Sequence, residues 1–128
     1  MASPVVHWEI GATDADKLGT FYQELFDWQV TPAGPEYFLV AGADGGIGGG
    51  ILQLSGEVPP YLAFYVQVED LEAALHHAVE LGAGQVVPPM TLPGIGRFAM
   101  IADLEGHTVG LLEAASPERG RAPAGEEE

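Results

Sequence analysis

His7 and Glu9 stand two residues apart in Val5–Ile10 (VVHWEI). Alternation along a strand puts such a pair on one face. An imidazole beside a carboxylate can act as an acid–base pair or contribute to a weak metal site. The other histidines offer less. His76 and His77 are adjacent on a helical segment, about 100° apart around its axis, and cannot share one metal well. They read as surface residues. His107 follows the turn residue Gly106 and reads as exposed. Arg97 is expected to pair with an acid such as Glu9 or Asp103, or to meet an anionic group of a substrate. Gly45–Gly50 (GGIGGG) lacks the Lys-Ser/Thr and the helix that a phosphate loop requires, which rejects that reading. There are no cysteines, hence no disulfide, thiolate nucleophile or thiolate metal site.

The elements that must position His7 and Glu9 follow from periodicity. In Val5–Ile10 the set Val6, Trp8 and Ile10 is the more apolar, so it should pack on helices and leave His7 and Glu9 on the other side. Thr13 or Asp14 can cap a helix over Asp14–Leu25, with Asp14 and Asp16 in its first turn, where the helix dipole favours acids. Leu18, Phe21, Tyr22, Leu25 and Phe26 fall at helical spacing and predict one buried stripe, ended by Asp27. Strands are expected at Trp28–Thr31, Tyr37–Ala41 and Ile47–Leu54, separated by Pro32–Pro35 and Gly42–Gly46. Ser55–Pro60 is a boundary. The order then repeats: strand Tyr61–Val68, helix Asp70–Leu81 with Leu71, Ala74, Leu75, Ala78 and Val79 inward, strand Gln85–Pro88, loop Pro89–Gly96, strand Arg97–Ala102, turn Asp103–Gly106 and strand Thr108–Glu113.

Registration supports a duplication. At an offset of 56, Asp14 meets Asp70, Leu25 meets Leu81, Gln29 meets Gln85 and Val30 meets Val86. At an offset of 60, Phe38 meets Phe98, Gly46 meets Gly106 and Gly50 meets Gly110. The expected organisation is one domain over 1–115, with module one at about 4–54 and module two at about 61–114. Residues 116–128, rich in Pro, Gly and Glu, read as a disordered acidic tail.

Composition bounds the function. The chain has 128 residues, 47% of them hydrophobic and 18% charged, as a globular domain should. Its net charge is −15. The tail supplies four acids against two arginines, or −2, so residues 1–115 carry −13 with only Lys17 and Arg97 as bases. Such a balance argues against nucleic acid and anionic membranes, and is compatible with a cationic or neutral ligand. No apolar run is long enough to span a membrane, and the start lacks a signal peptide's basic and apolar regions. The expected location is cytoplasmic.

Three segments carry a family pattern. VVHWEIGATDADKLGTFYQELFDWQV resembles the opening of the vicinal oxygen chelate superfamily, which includes glyoxalases, bleomycin-resistance proteins, fosfomycin-resistance enzymes and extradiol dioxygenases. YVQVEDLEAALHHAVELGAGQVV resembles the start of its second module, and GRFAMIADLEGHTVGLLE its closing strands. The resemblance spans residues 4–113. It implies an α+β fold of two tandem βαβββ modules forming a curved mixed sheet around a cleft, and a homodimer. It also implies a divalent metal held by one residue on each of the first, fourth, fifth and eighth strands. Carried over by position, those residues here are His7, Gly50, Ala63 and Gly110, so the metal set is incomplete. Glu113 also lies on the eighth strand, but parity turns it away from the face of Gly110 and Leu112.

By alternation the cleft-facing set is His7, Glu9, Gly50, Leu52, Ala63, Tyr65, Gln67, Gly110 and Leu112, with Phe98 and Met100 as further lining. The two glycines at ligand positions either leave room for a molecule or permit sheet curvature. The expected ligand residues are Gly50, Leu52, Tyr65, Gln67, Gly110 and Leu112, with His7 and Glu9 as the reactive pair. The resemblance implies a bleomycin-resistance-like protein that binds a small organic molecule. The alternative is a lyase, isomerase or dioxygenase using His7 and Glu9 with or without a divalent metal.

Overall fold

The chain forms eight strands and two helices, β1 (Val5–Ala12), α1 (Ala15–Phe26), β2 (Val30–Pro32), β3 (Tyr37–Val40), β4 (Gly49–Gln53), β5 (Tyr61–Gln67), α2 (Leu71–Glu80), β6 (Gly84–Leu92), β7 (Gly96–Ala102) and β8 (Thr108–Ala114). The structure is a computed structural model, and it describes residues 2–92 and 96–114. The order is βαβββ twice, as duplication predicts, and the fold class is α+β. The proposed acidic tail and part of the Pro89–Gly96 loop lie outside the described residues. Among the described residues, no helix is long and apolar enough to cross a membrane.

The described residues divide into two compact units, one over residues 6–64 and one comprising residue 65 onward together with the residues before Val6. In the first unit the strands run in the order β2, β3, β4, β1, with the start of β5 beside β1. β1 and β4 are parallel, with Glu9 opposite Gly50. β3 and β4 are antiparallel, with Tyr37 opposite Leu52 and Leu39 opposite Gly50. The core is Ala12, Ala15, Val40 and Ile51, with Trp8, Ile10, Leu18, Tyr22, Trp28 and Val30 packed against it. Trp8 and Ile10 therefore face α1, and the opposite parity of β1 carries His7 and Glu9 on the helix-free side.

α1 starts where polar groups take up its unpaired N–H groups. Asp14 Oδ1 accepts the Lys17 N–H at 3.1 Å, and Gln53 Oε1 accepts that of Ala15 at 2.8 Å. Asp27 ends the helix in the left-handed conformation, its N–H donating to the Gln23 carbonyl. The helix buries its small residues Ala15 and Gly19. A side chain at Gly19 would meet Val30 and Ile51 at 3.4 and 3.9 Å, so the helix sits close to the sheet at that point. The expected stripe is accordingly corrected: Leu18 and Tyr22 pack inward, while Phe21, Leu25 and Phe26 remain about half exposed. The close approach at Gly19 displaces the larger residues to the flanks. There Tyr22 stacks with Phe26 and Trp28, and Trp28 packs at a tilt against Phe26 and Trp8. That use of Trp28 delays β2 to Val30.

In the second unit, the end of β5 is followed in order by β8, β7 and β6, with α2 packed through Leu71 and Leu75 on Ala99 and Leu111. Val79 is about half exposed, not inward as expected. β6 is longer than predicted and carries two register shifts around Val87 and Met90. Pro88 and Pro89 cannot donate to a ladder, and an irregular outer strand tolerates them. Ile51 has no exposed surface. Ile51→Ala should therefore cost about 2–5 kcal/mol in urea unfolding, and a loss below about 1 kcal/mol would contradict its place in the core.

Candidate functional site

Burying a carboxylate costs several kcal/mol unless its oxygens find donors. Two carboxylates are buried among the described residues, Glu9 at 8% exposure and Glu113 at 5%. They are satisfied in different ways, and the difference separates a site from a structural clamp.

Glu113 lies in the second unit. It accepts the Leu71 N–H at the start of α2 at 2.9 Å and the Arg97 Nε–H at 3.1 Å. Arg97 grips Glu72 with both terminal nitrogens at 2.6 Å. The expected pairing of Arg97 with Glu9 or Asp103 is thus corrected. Arg97 and Glu113 are direct partners across β7 and β8, while Asp103 is engaged by the backbone N–H groups of Glu105 and His107. Asp70, Glu72 and Glu113 bring three carboxylate oxygens within 4.8 Å of one another. The guanidinium of Arg97 already supplies positive charge there, and Asp70 caps α2 through the Ala73 N–H. Glu113 faces this helix start, as strand parity requires.

Glu9, in the first unit, is approached by phenols. The Tyr61 hydroxyl donates to Glu9 Oε1 at 2.9 Å. The Tyr37 hydroxyl shares a hydrogen bond of 3.1 Å with His7 Nε2 and lies within the field of the same carboxylate. Burial raises the ionisation of both phenols above the ordinary value of 10, and the Glu9 charge raises it further. They remain neutral donors at neutral pH. Burial lowers the His7 pKa below 6.5, and the Glu9 charge offsets this only in part.

Glycines make the arrangement fit. A Cβ at Gly50 would overlap the Tyr37 hydroxyl and ring, and one at Gly11 would overlap the Tyr61 ring. Without side chains at these positions, each phenol can lie across its neighbouring strand, Tyr61 to reach Glu9 and Tyr37 to meet His7. The expectation that Gly50 and Gly110 leave room for a ligand is therefore corrected. Tyr37 fills the space at Gly50 and, in the second unit, the Tyr65 ring fills that at Gly110. Tyr65 is buried, its hydroxyl lies 3.9 Å from Met100 Sδ, and its ring meets Phe98 edge-on. Gln67 is exposed, and Leu112, opposite Phe98, is half-buried. Ala63 is buried and Leu52 half-buried in the first unit. His76 and His77 lie exposed beside Glu80, and His107 beside Asp103, as surface residues should.

The sequence reading missed Tyr37 and Tyr61. Alternation could have found both. Tyr61 shares the parity of Ala63, and Tyr37 is paired with Leu52. Tyr61 also forms part of the wall of an open groove of about 780 Å3 at the end of β1, lined with Ile10, Leu18, Phe21 and Pro60 and with Thr13, Asp14 and Lys17 as its polar side chains.

Residues 7–112 match the family described as "Glyoxalase-like domain". A protein described as "Putative glyoxylase CFP32" from Mycobacterium bovis is 29% identical over 83 residues, which is 65% of this chain and 32% of that protein. The chain thus spans about a third of the length of that relative. A glyoxylase-like domain-containing protein from Didymella fabae is 29% identical over 109 residues, covering 78% of this chain and 85% of the relative. Among solved structures, methylmalonyl-CoA epimerase from Mycobacterium tuberculosis superposes with a TM-score of 0.68 at 16% identity, over 88% of each chain. That likeness concerns the fold. The geometry makes its own demand on His7. Its imidazole should titrate below 6.5 by NMR, and Glu9→Gln should lower it further by removing the one charge that raises it. A value above 6.5 in the parent, or a rise in the variant, would contradict the arrangement.

Proposed function

The chain belongs to the glyoxalase-like domain family, and on that premise we propose that it binds a small organic molecule on the helix-free face of its first unit without a divalent metal. The observation that carries this reading is the state of the positions the family pattern assigns to metal ligands. In the first unit these are His7, Gly50 and Ala63. Glycine and alanine offer no donor atom. The Nε2 atom of His7 is turned to the Tyr37 hydroxyl, and Tyr37 occupies the space at Gly50 where a longer ligand side chain would begin. The eighth-strand position, Gly110, is covered by Tyr65. One imidazole is too small a set for a divalent ion of the usual kind. The residues present do not fit the metal.

What they fit is recognition. The face combines half-buried aromatic rings and aliphatic side chains with a few fixed polar atoms, the usual composition of a small-molecule site. Binding is favoured over catalysis by His7 and Glu9. Glu9 lies behind the two phenols at 8% exposure and is poorly placed to reach a substrate proton.

Calorimetry on untagged protein tests both halves. Mn2+, Ni2+ and Zn2+ should give no near-stoichiometric binding, whereas a panel of basic, neutral and acidic aromatic molecules should contain members that raise the melting temperature. Near-stoichiometric metal lost in His7→Ala would overturn the metal-free reading. A silent organic panel would overturn the binding reading.

A further inference from the structure

We propose that the groove beside α1 is a second binding site, for a small amphipathic monocarboxylic acid whose apolar body lies along the groove and whose carboxylate meets the Lys17 ammonium. The site is independent of the helix-free face. Ile10, one of its lining residues, packs toward the core under α1. One side of that helix supplies much of the lining. Asp14, Lys17, Leu18 and Phe21 stand at i, i+3, i+4 and i+7, and helical geometry stacks such positions together. Ile10, Pro60 and Tyr61 add apolar surface from β1 and the start of β5. At about 780 Å3 the groove falls within the roughly 300–1,000 Å3 of small-molecule pockets. Phe21 leaves 53% of its surface in water, so a guest that covers the ring gains apolar burial.

Lys17 decides the polar end of the guest. It is the one base in residues 6–64, against eight carboxylates. Its place is unfavourable on local grounds, because the first turn of α1 is where the helix dipole disfavours a cation. No carboxylate of the chain compensates. Among the described residues the Lys17 ammonium makes no ion pair. Asp14 is close in sequence, but its carboxylate accepts the Lys17 backbone N–H. Asp16, the preceding helical residue, points about 100° away around the axis. A carboxylate carried by a guest answers the lysine charge beside an apolar wall. One negative charge suits the surroundings better than two. The balance of residues 6–64 is −7, and the second charge of a phosphate monoester would meet that field with a single ammonium to offset it. An ammonium-ended guest would meet Lys17 itself.

The test is an amide NMR titration of the full chain with guests that share one body and differ in their polar end: 3-phenylpropionate, 3-phenylpropanol, 3-phenylpropylammonium and 3-phenylpropyl phosphate. The propionate should bind tightest, about threefold or more ahead of the alcohol, as one exposed ion pair allows. It should shift the signals of Lys17, Leu18, Phe21 and Tyr61. Lys17→Gln should erase the advantage of the acid and leave the alcohol unchanged. Phe21→Ala should weaken acid and alcohol alike, in a protein whose melting curve shows it folded. Binding of the alcohol, amine or phosphate as tightly as the acid, or an advantage of the acid that survives Lys17→Gln, overturns the inference. Shifts confined to His7, Gly50 and Leu52 overturn it while supporting a site on the helix-free face. Silence from every guest overturns it too, and leaves the reading of the helix-free face to its own panel.

Discussion

A carboxylate removed from water must be answered by donors, and the first unit brings the Tyr61 hydroxyl to Glu9. The neighbouring packing follows from that choice. Tyr37 lies over residue 50, opposite Glu9, so that residue is glycine. Tyr61 must lie against β1, so residue 11 is glycine. His7 is then drawn into the same set through Tyr37. Leaving a buried acceptor unanswered costs about 1–3 kcal/mol, more for a charge, so these contacts matter for folding. Glu113 solves the same problem with Arg97 and a helix N–H. That solution ties the start of α2 to β7 and β8.

The two modules have diverged at matching positions. Fifty-six residues after His7 and Glu9 stand Ala63 and Tyr65, and sixty after Tyr37 stands Arg97. The second unit thus puts a tyrosine where the first has its buried acid, and lays that ring over Gly110 as the first lays Tyr37 over Gly50. In the first unit the covering phenol meets an imidazole. In the second its hydroxyl lies near a methionine sulfur and its ring meets Phe98.

Much of this was legible in the sequence. Alternation in VVHWEI placed His7 and Glu9 together and turned Trp8 and Ile10 to the helix. Registration of the repeats found Gly50, Ala63 and Gly110 at the family's ligand positions. The element order and the family resemblance held. What failed did so for reasons of packing. Glycine at a ligand position reads as empty space, because a sequence does not say which distant ring will fill it. A helical stripe reads as buried, because periodicity does not say that Gly19 will bring the helix in on its small residues. The partner of Arg97 depended on which acid lay across the strand pair, and parity with Glu113 would have shown it.

The central claim is that Tyr61 directs its hydroxyl proton to the buried carboxylate of Glu9. Proton NMR at low temperature, with labelled tyrosine, measures this most directly. The account predicts one downfield phenolic proton, correlated with the Tyr61 ring, that exchanges slowly with water and moves upfield in Glu9→Gln. Fast exchange at Tyr61, or a signal indifferent to the loss of the Glu9 charge, would contradict it.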